Sequence, residues 1–432
     1  MRLKIQNIGM IKNADIKLDG LTIIAGENDT GKSTVGKILF CLIKTINRYQ
    51  EDFSESKEHK ISEILEKLYF TIRRYAKIID SELLASLKYL LSLDKYFYSK
   101  DNSLYIQELT SYVENLNLEN EKKVEIISTL DSLNKIITEP DDEHKYIQSA
   151  LNKVFHSEFD SDIIKNECQY GKIELYDGEL LLLDISIEKN NKIILANNFQ
   201  PIYFNDATFI ETPLILNNHD LLIRSTTGLN ATKATSRRLG IPYTTLHTKD
   251  LFDKLKEINF INTFLDDVNN NKITKEIISL INGELKYDSR DKKFKYVKNS
   301  IDIPIKNTAT GIKSFGIIQL LVENEFINEK SFLILDEPEI HLHPKWQLEY
   351  AKLVSILIQN NIPILVTSHS PYMIEALQKY NNIKNINFYL TNNENIEQVN
   401  ENNSDTLSAI FTKLSEPFET FDAMDSDKLQ NG

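Results

Sequence analysis

Polar and apolar residues alternate through "LKIQNIG" and "ADIKL" near the start of the chain, and the apolar positions then close up in "LTIIAG". Three strands joined by turns are predicted over these first thirty residues. From about Thr34 to Ile43 the period lengthens, with Val35, Leu39, Leu42 and Ile43 at helical spacing. Residues 44–158 are rich in Leu, Ile, Lys and Glu, hold no Gly and have Pro140 as their one proline, which predicts several helices. Breaks are expected near "SLDKYFYSKDNS" and "TEPDDE". Heptads are too short-lived for a long coiled coil.

Strand character returns over 171–198, where Asp-Gly and Asn-Asn turns between apolar stretches predict hairpins. "PIYFNDATFI" (201–210) reads as a further strand, 217–247 as loop, and the stretch to about Asn282 as helix. "GELKYDSRDKKFKYV" is a strand pair. Beyond it, "GIKSFGIIQLLVENEF" and "HPKWQLEYAKLVSILIQ" read as helices, while "SFLILD" and "IPILVTS" read as buried strands. Strand and helix alternating over 311–390 predict an α/β fold with a parallel sheet and crossover helices. No internal repeat is evident, and the acidic C-terminal thirty residues read as a frayed tail.

Composition narrows the class only modestly. At 432 residues, 41% hydrophobic and 26% charged, the chain is an ordinary soluble globular sequence of more than one domain or of one with large insertions. No apolar run approaches the roughly 18–20 residues that span a bilayer, and the alternating N-terminus is unlike a secretory signal. Cys41 and Cys168 are too few for a disulfide framework or a four-cysteine zinc site, which predicts a reducing cytoplasm. A net charge of −13 argues against nonspecific coating of nucleic acid but permits a local basic groove.

The chemistry concentrates at the two ends. "GENDTGKST" (26–34) fits G-x-x-x-x-G-K-[ST], follows a strand and opens a helix. Gly26 and Gly31 let the backbone turn its N–H groups toward phosphate oxygens. Lys32 is placed for β- and γ-phosphates and the Ser33 hydroxyl for Mg²⁺, with Asn28 and Thr34 completing the ATP-binding set. "FLIL" carries Asp336 to the carboxyl end of a buried strand, where open α/β sheets put their ligands. Asp336 is then a second Mg²⁺ ligand, and Glu337 the group that polarises an attacking water. His369, at the tip of "IPILVTS", is expected at the γ-phosphate or the water. His341 and His343 lack further ligands in sequence for a transition metal, and are expected to shape the loop and to touch a partner subunit across the nucleotide.

These pieces, with "NTATGIKSFGIIQLL" and "ILVTSHSPYMI", resemble the ABC-type ATPase heads of the SMC, RecF and OLD group. The resemblance implies a P-loop sheet with a β-subdomain, a Walker B motif ending at Asp336, catalytic Glu337 and a switch histidine at His369. It also implies that "TATGIK" is the signature segment, whose Thr310, Gly311 and Lys313 complete the nucleotide site of an opposing head. ATP between two heads means a homodimer or higher oligomer. Two positions depart from the pattern: Asp29 where such loops commonly have Gly, and Ala309 where the signature usually has serine, leaving Thr308 or Thr310 to offer a hydroxyl. No glutamine for a Q-loop occurs in "PIYFNDATFIETP".

The implied organisation is a discontinuous head (1–43, 160–215 and 285–400), a helical insertion (44–158), a second insertion or lid (216–284) and a tail (401–432). "RSTTGLNATKATSRR" in the second insertion reads either as a phosphate- or nucleic-acid-contacting loop or as a solvated one. "DAMDSD" (422–427) mimics an acidic metal motif without strands to carry it, so no intrinsic nuclease is expected. A transporter subunit would be shorter and would lack the insertion. The wording of "DEPEIHLHPKWQ" and "TGIKSFG" resembles nuclease-less bacterial defence ATPases of the Septu and PARIS systems, which act beside a separate nuclease or toxin effector. The alternative is a RecF-like DNA repair or recombination ATPase that binds DNA.

Overall fold

The computed structural model describes residues 1–76, 81–98, 102–116, 118–138, 143–160, 163–196, 199–229, 233–257, 268–381 and 386–399, with Ser408, Ile410 and Thr412. The tail beyond these, including 422–427, and most of "TEPDDE" lie outside the described residues. The chain forms two compact units, Met1–Asn47 with Ile147–Gly432, and Arg48–Tyr146.

In the first unit, β1 (Arg2–Ile8) and β2 (Ile11–Lys17) pair antiparallel and β3 (Leu21–Ala25) leads to α1 (Lys32–Ala76), which runs on into the second unit. The second unit adds α2 (Ser81–Leu90), α3 (Leu93–Tyr98), α4 (Asn102–Glu114) and α5 (Asn120–Thr138). Its core is built from residues at i, i+3 and i+4, as in Ile61, Leu65, Leu68 and Ile72 of α1 and Ile126, Leu130, Leu133 and Ile137 of α5. The chain returns to the first unit through α6 (Glu143–Phe159).

There follow β4 (Tyr170–Asp177), β5 (Leu180–Glu188), β6 (Ile193–Leu195) and β7 (Asp206–Ile210), then α7 (His219–Leu222), α8 (Lys233–Leu239), α9 (Leu246–Lys256) and α10 (Val268–Ile281). A small sheet of β8 (Glu284–Asp288), β9 (Lys293–Lys298) and β10 (Ile301–Pro304) precedes α11 (Thr310–Glu323). The last elements are β11 (Ser331–Asp336), α12 (Pro344–Gln359), β12 (Ile364–Ser368), α13 (Pro371–Tyr380), β13 (Ile386–Asn392) and β14 (Asn395–Gln398). The main sheet runs β6-β5-β4-β1-β2-β14-β13-β3-β12-β11-β7. Its β13-β3-β12-β11-β7 half is parallel, and the other half is antiparallel through β6-β5-β4-β1-β2, with β14 parallel to β2 and antiparallel to β13. Every residue of β3, β11 and β12 is buried, as in sheets covered on both faces, which is why these strands read as unbroken apolar runs.

The α/β expectation and its hairpins are met. The stretch read as loop over 217–247 differs: it holds α7, α8 and the start of α9. Helices of 4 and 7 residues are too short for a helical period to register. Strands β10, β13 and β14 were also not foreseen. The segment 216–284 lies in the first unit, where Leu222, Leu251, Phe252, Leu255, Ile273, Ile277 and Ile281 join the main core.

Edge strand β7 is held by charge as well as by apolar packing. Lys44 lies 2.5 Å from Asp206 and 2.6 Å from Asp250, and Lys254 lies 2.6 and 3.0 Å from the same two carboxylates. At the other end of β7, His247 is clamped between Glu158 (Nδ1 to Oε1, 2.6 Å) and Glu211 (Nε2 to Oε2, 3.1 Å). Burial alone would discharge this imidazole, but the two carboxylates outweigh it and lift its pKa from 6.5 to about 9.

A raised pKa means that the stabilisation is complete below about pH 6.5 and is lost as pH climbs through about 9. Unfolding free energy should therefore decline across that window by up to about 3 kcal/mol. Urea titrations of wild type and His247→Gln at successive pH values check this, with a flatter profile expected for the variant.

Candidate functional site

The loop between β3 and α1 is shaped by two glycines. A Cβ on Gly26 would sit 1.8 Å from the Thr391 hydroxyl oxygen of β13, and one on Gly31 (φ +87°) would sit 2.6 Å from the Ile11 side chain. Asp29 takes φ +61°, a left-handed conformation that Asp reaches more readily than most side chains, so the departure from glycine is accommodated. Thr30 donates its hydroxyl to the Glu27 carbonyl, Asn28 stands exposed at the loop tip, and Thr34 lies in the first turn of α1. Lys32 is 3% exposed. Its ammonium donates to the carbonyls of Gly26 and Glu27 and lies 3.4 Å from Glu337 Oε1.

Parallel pairing of β11 with β12 puts Asp336 opposite Thr367. The Thr367 hydroxyl donates to Asp336 Oδ1 (2.6 Å) and accepts from the Glu337 N–H (3.1 Å), which also reaches the Thr367 carbonyl (3.1 Å). Burial pushes the Asp336 carboxyl up, hydrogen bonds from Thr367 and Ser33 pull it down, and the charges of Glu211 and Glu337 push it further up. Glu337 adopts φ +47°, turning the chain sharply out of the strand. Its Oε1 lies 3.6 Å from Nδ1 of His369.

Two further carboxylates were not singled out in the sequence. Glu211 follows the last residue of β7, and the pairing of Ile210 with Leu335 sets it beside Asp336. It lies within the stretch 201–213, which holds no glutamine for a Q-loop. Glu339 is 4% exposed, and its Oε1 accepts from the Ser368 hydroxyl (2.7 Å) and from the N–H groups of His369 (2.8 Å) and Ser370 (3.1 Å). Burial raises its carboxyl despite these bonds. The signal in sequence was its place two residues after Glu337, in "DEPE".

His341 takes φ +66° within the loop after β11. His343 is the N-cap of α12 and its ring accepts from the Lys345 N–H. Lys32, Ser33, Asp336, Glu337 and His369 thus converge, whereas Thr310, Gly311 and Lys313 open α11 at another place. There Gly311 abuts Trp346 and Leu342, and Thr308 bonds the Pro304 carbonyl. Lys313, expected at a nucleotide, is 3% exposed and donates to Asn217 (2.8 Å). In the 224–238 stretch Lys233 is paired with Asp160 and lies over the Tyr243 ring, while Arg224, Arg237 and Arg238 are exposed.

The converging set fits a triphosphate with a hard divalent cation. A glycine cradle that any Cβ would fill faces an ammonium, and the Ser33 hydroxyl and Asp336 offer oxygen donors. Among the described residues, no helix is long and apolar enough to cross a membrane.

The family model described as AAA ATPase domain matches residues 1–374. The Septu protein PtuA of Bacillus thuringiensis is 33% identical over 103 residues, 23% of this chain and 24% of that protein. The human glucosylceramide transporter ABCA12 is 31% identical over 98 residues, 22% of this chain and 4% of that protein. The chain thus spans about a quarter of the first relative's length and a small part of the second's. Among solved structures, an Smc head bound to the C-winged helix domain of ScpA gives a TM-score of 0.40 at 10% identity, covering 94% of this chain and 98% of that one. The recombination mediator protein RecF gives 0.36 at 10%, covering 92% and 97%.

Thr367→Val keeps the shape of the side chain but removes the hydroxyl that bridges Asp336 and Glu337. Leaving a buried acceptor unpaired should destabilise the fold by about 1–3 kcal/mol. Urea denaturation checks this, and an unchanged midpoint would contradict the bridge.

Proposed function

The chain belongs to the AAA ATPase domain family, and from that premise we propose that it binds ATP with Mg²⁺ at residues 26–34, hydrolyses the nucleotide and so regulates a separate effector protein in bacterial anti-phage defence. One observation carries the proposal. The Lys32 ammonium meets Glu337 at 3.4 Å and the Ser33 hydroxyl stands near enough to Asp336 to pull its pKa down, so two motifs about 300 residues apart share one place.

In this reading the backbone N–H groups of 26–31 and the Lys32 ammonium bind the phosphates, and Ser33 and Asp336 hold the cation. Held there, Mg²⁺ would supply charge neutralisation at the phosphoryl oxygens. Glu337 takes a proton from the attacking water, and His369 contacts the γ-phosphate side. Lys32 now leans on two carbonyls and a carboxylate, contacts that phosphate oxygens would replace. Two copies close head to head, with Thr308, Thr310 and Gly311 of each facing the nucleotide of the other. Lys313 is left out of that role because its ammonium is bound to Asn217 within its own chain. The stretch shared with the Septu protein supports the choice of defence, with a nuclease or toxin as effector.

Lys32→Ala should abolish binding of a fluorescent ATP analogue, and unchanged affinity would remove 26–34 from the site. Glu337→Gln should keep the affinity within a few-fold and lower phosphate release at least 100-fold. With ATP, the same variant should move from monomer to dimer mass in light scattering.

A further inference from the structure

Glu339 is a buried carboxylate with no role in the chemistry described so far. Three donors converge on its Oε1: the Ser368 hydroxyl, the His369 N–H and the Ser370 N–H. Ser368 ends β12 and His369 and Ser370 form the turn to α13, whereas Glu339 belongs to the loop between β11 and α12. The same two loops are tied a second time. The Ser370 hydroxyl donates to Gln347 Oε1 (2.7 Å), and Gln347 Nε2 donates to the Leu342 carbonyl (3.1 Å). The loop that carries Glu337 and the turn that carries His369 are therefore fastened into one piece.

A neutral threonine or glutamine could accept the same donors, so fastening alone does not explain a carboxylate that is 4% exposed. What remains is the His369 ring. Its Nδ1 is a buried atom without a hydrogen-bond partner, 3.5 Å from Glu339 Oε1 and 3.6 Å from Glu337 Oε1. The second oxygen, Glu339 Oε2, is likewise buried without a partner. A buried ring nitrogen facing two carboxylates is best served by carrying a proton toward them, which leaves Nε2 as the nitrogen for an outside partner. The side chain is 40% exposed, so such a partner has access.

We propose that Glu339 is a positioning residue that holds His369 with Nδ1 protonated and turned inward, so that Nε2 is presented to the phosphate side of the site. This deepens the nucleotide reading and rests on it. Glu337 cannot serve the same purpose throughout, because in that reading its carboxylate turns to water; Glu339 is bound on three sides and stays.

The test is made on the full chain with histidines labelled for NMR, His369 being assigned from the signal lost in His369→Gln. Without nucleotide, wild type should show His369 with the proton on Nδ1, in the neutral or doubly protonated form. A neutral ring protonated only on Nε2 would overturn the proposal, whatever any variant does. Glu339→Gln keeps an oxygen for the three donors and removes the charge. It should leave the urea midpoint and ATP-analogue affinity within about two-fold, lower the rate of phosphate release about 10–100-fold, and shift the His369 signals toward a mixture of tautomers. A wild-type rate with unshifted His369 signals would overturn the proposal. Wild type that binds no nucleotide yet keeps Nδ1 protonated would instead refute the ATPase reading and support the Glu339–His369 contact.

Discussion

The constraint on which the site depends is the crowding of like charge at the carboxyl ends of parallel strands. Pairing of β7, β11 and β12 brings Glu211, Asp336 and Glu337 to one edge, with Glu339 close behind. Carboxylates so placed repel, and burial raises that repulsion because little water screens it. Burial is the main cause of the raised pKa of Asp336, and the charges of Glu211 and Glu337 add to it. The fold opposes it with donors: the Thr367 and Ser33 hydroxyls on Asp336, the Lys32 ammonium near Glu337, and two N–H groups with a hydroxyl on Glu339. A site built this way is predisposed to bind cations, since added positive charge relieves what hydrogen bonds only offset.

Edge strand β7 shows how the rest of the first unit supports that arrangement. Among the described residues it pairs on one side only, with β11, and ionic contacts secure its two ends. Asp206 is held by Lys44 of α1 and Lys254 of α9, and Glu211 by the buried His247. Buried ion pairs add little net stability over apolar packing, but losing one member leaves an uncompensated charge. They therefore act as a specification of place, fixing where β7 ends and so where Glu211 stands relative to Asp336.

The phosphate loop obeys a steric constraint. Gly26 lies against Thr391 of β13 and Gly31 against Ile11 of β2, so strands from one side of β3 limit what can stand in the loop. The glycines that the motif requires for phosphate approach are also required by the neighbours, and the two demands coincide on the same atoms.

Much of this was legible in the order of residues. The buried strands announced themselves as apolar runs, the phosphate loop by glycine spacing before a helix, and Asp336 and Glu337 by charge at the end of a strand. These signals are local, since each depends on neighbours within a turn or a strand. The short helices α7 and α8, the strand β14 and the inward turn of Lys313 were not legible, because each is set by packing against distant segments. Glu211 and Glu339 are the clearest case: by themselves they are two more acidic residues in an acidic chain. Their meaning comes from which strand lies beside which, and strand order depends on contacts between residues more than a hundred positions apart.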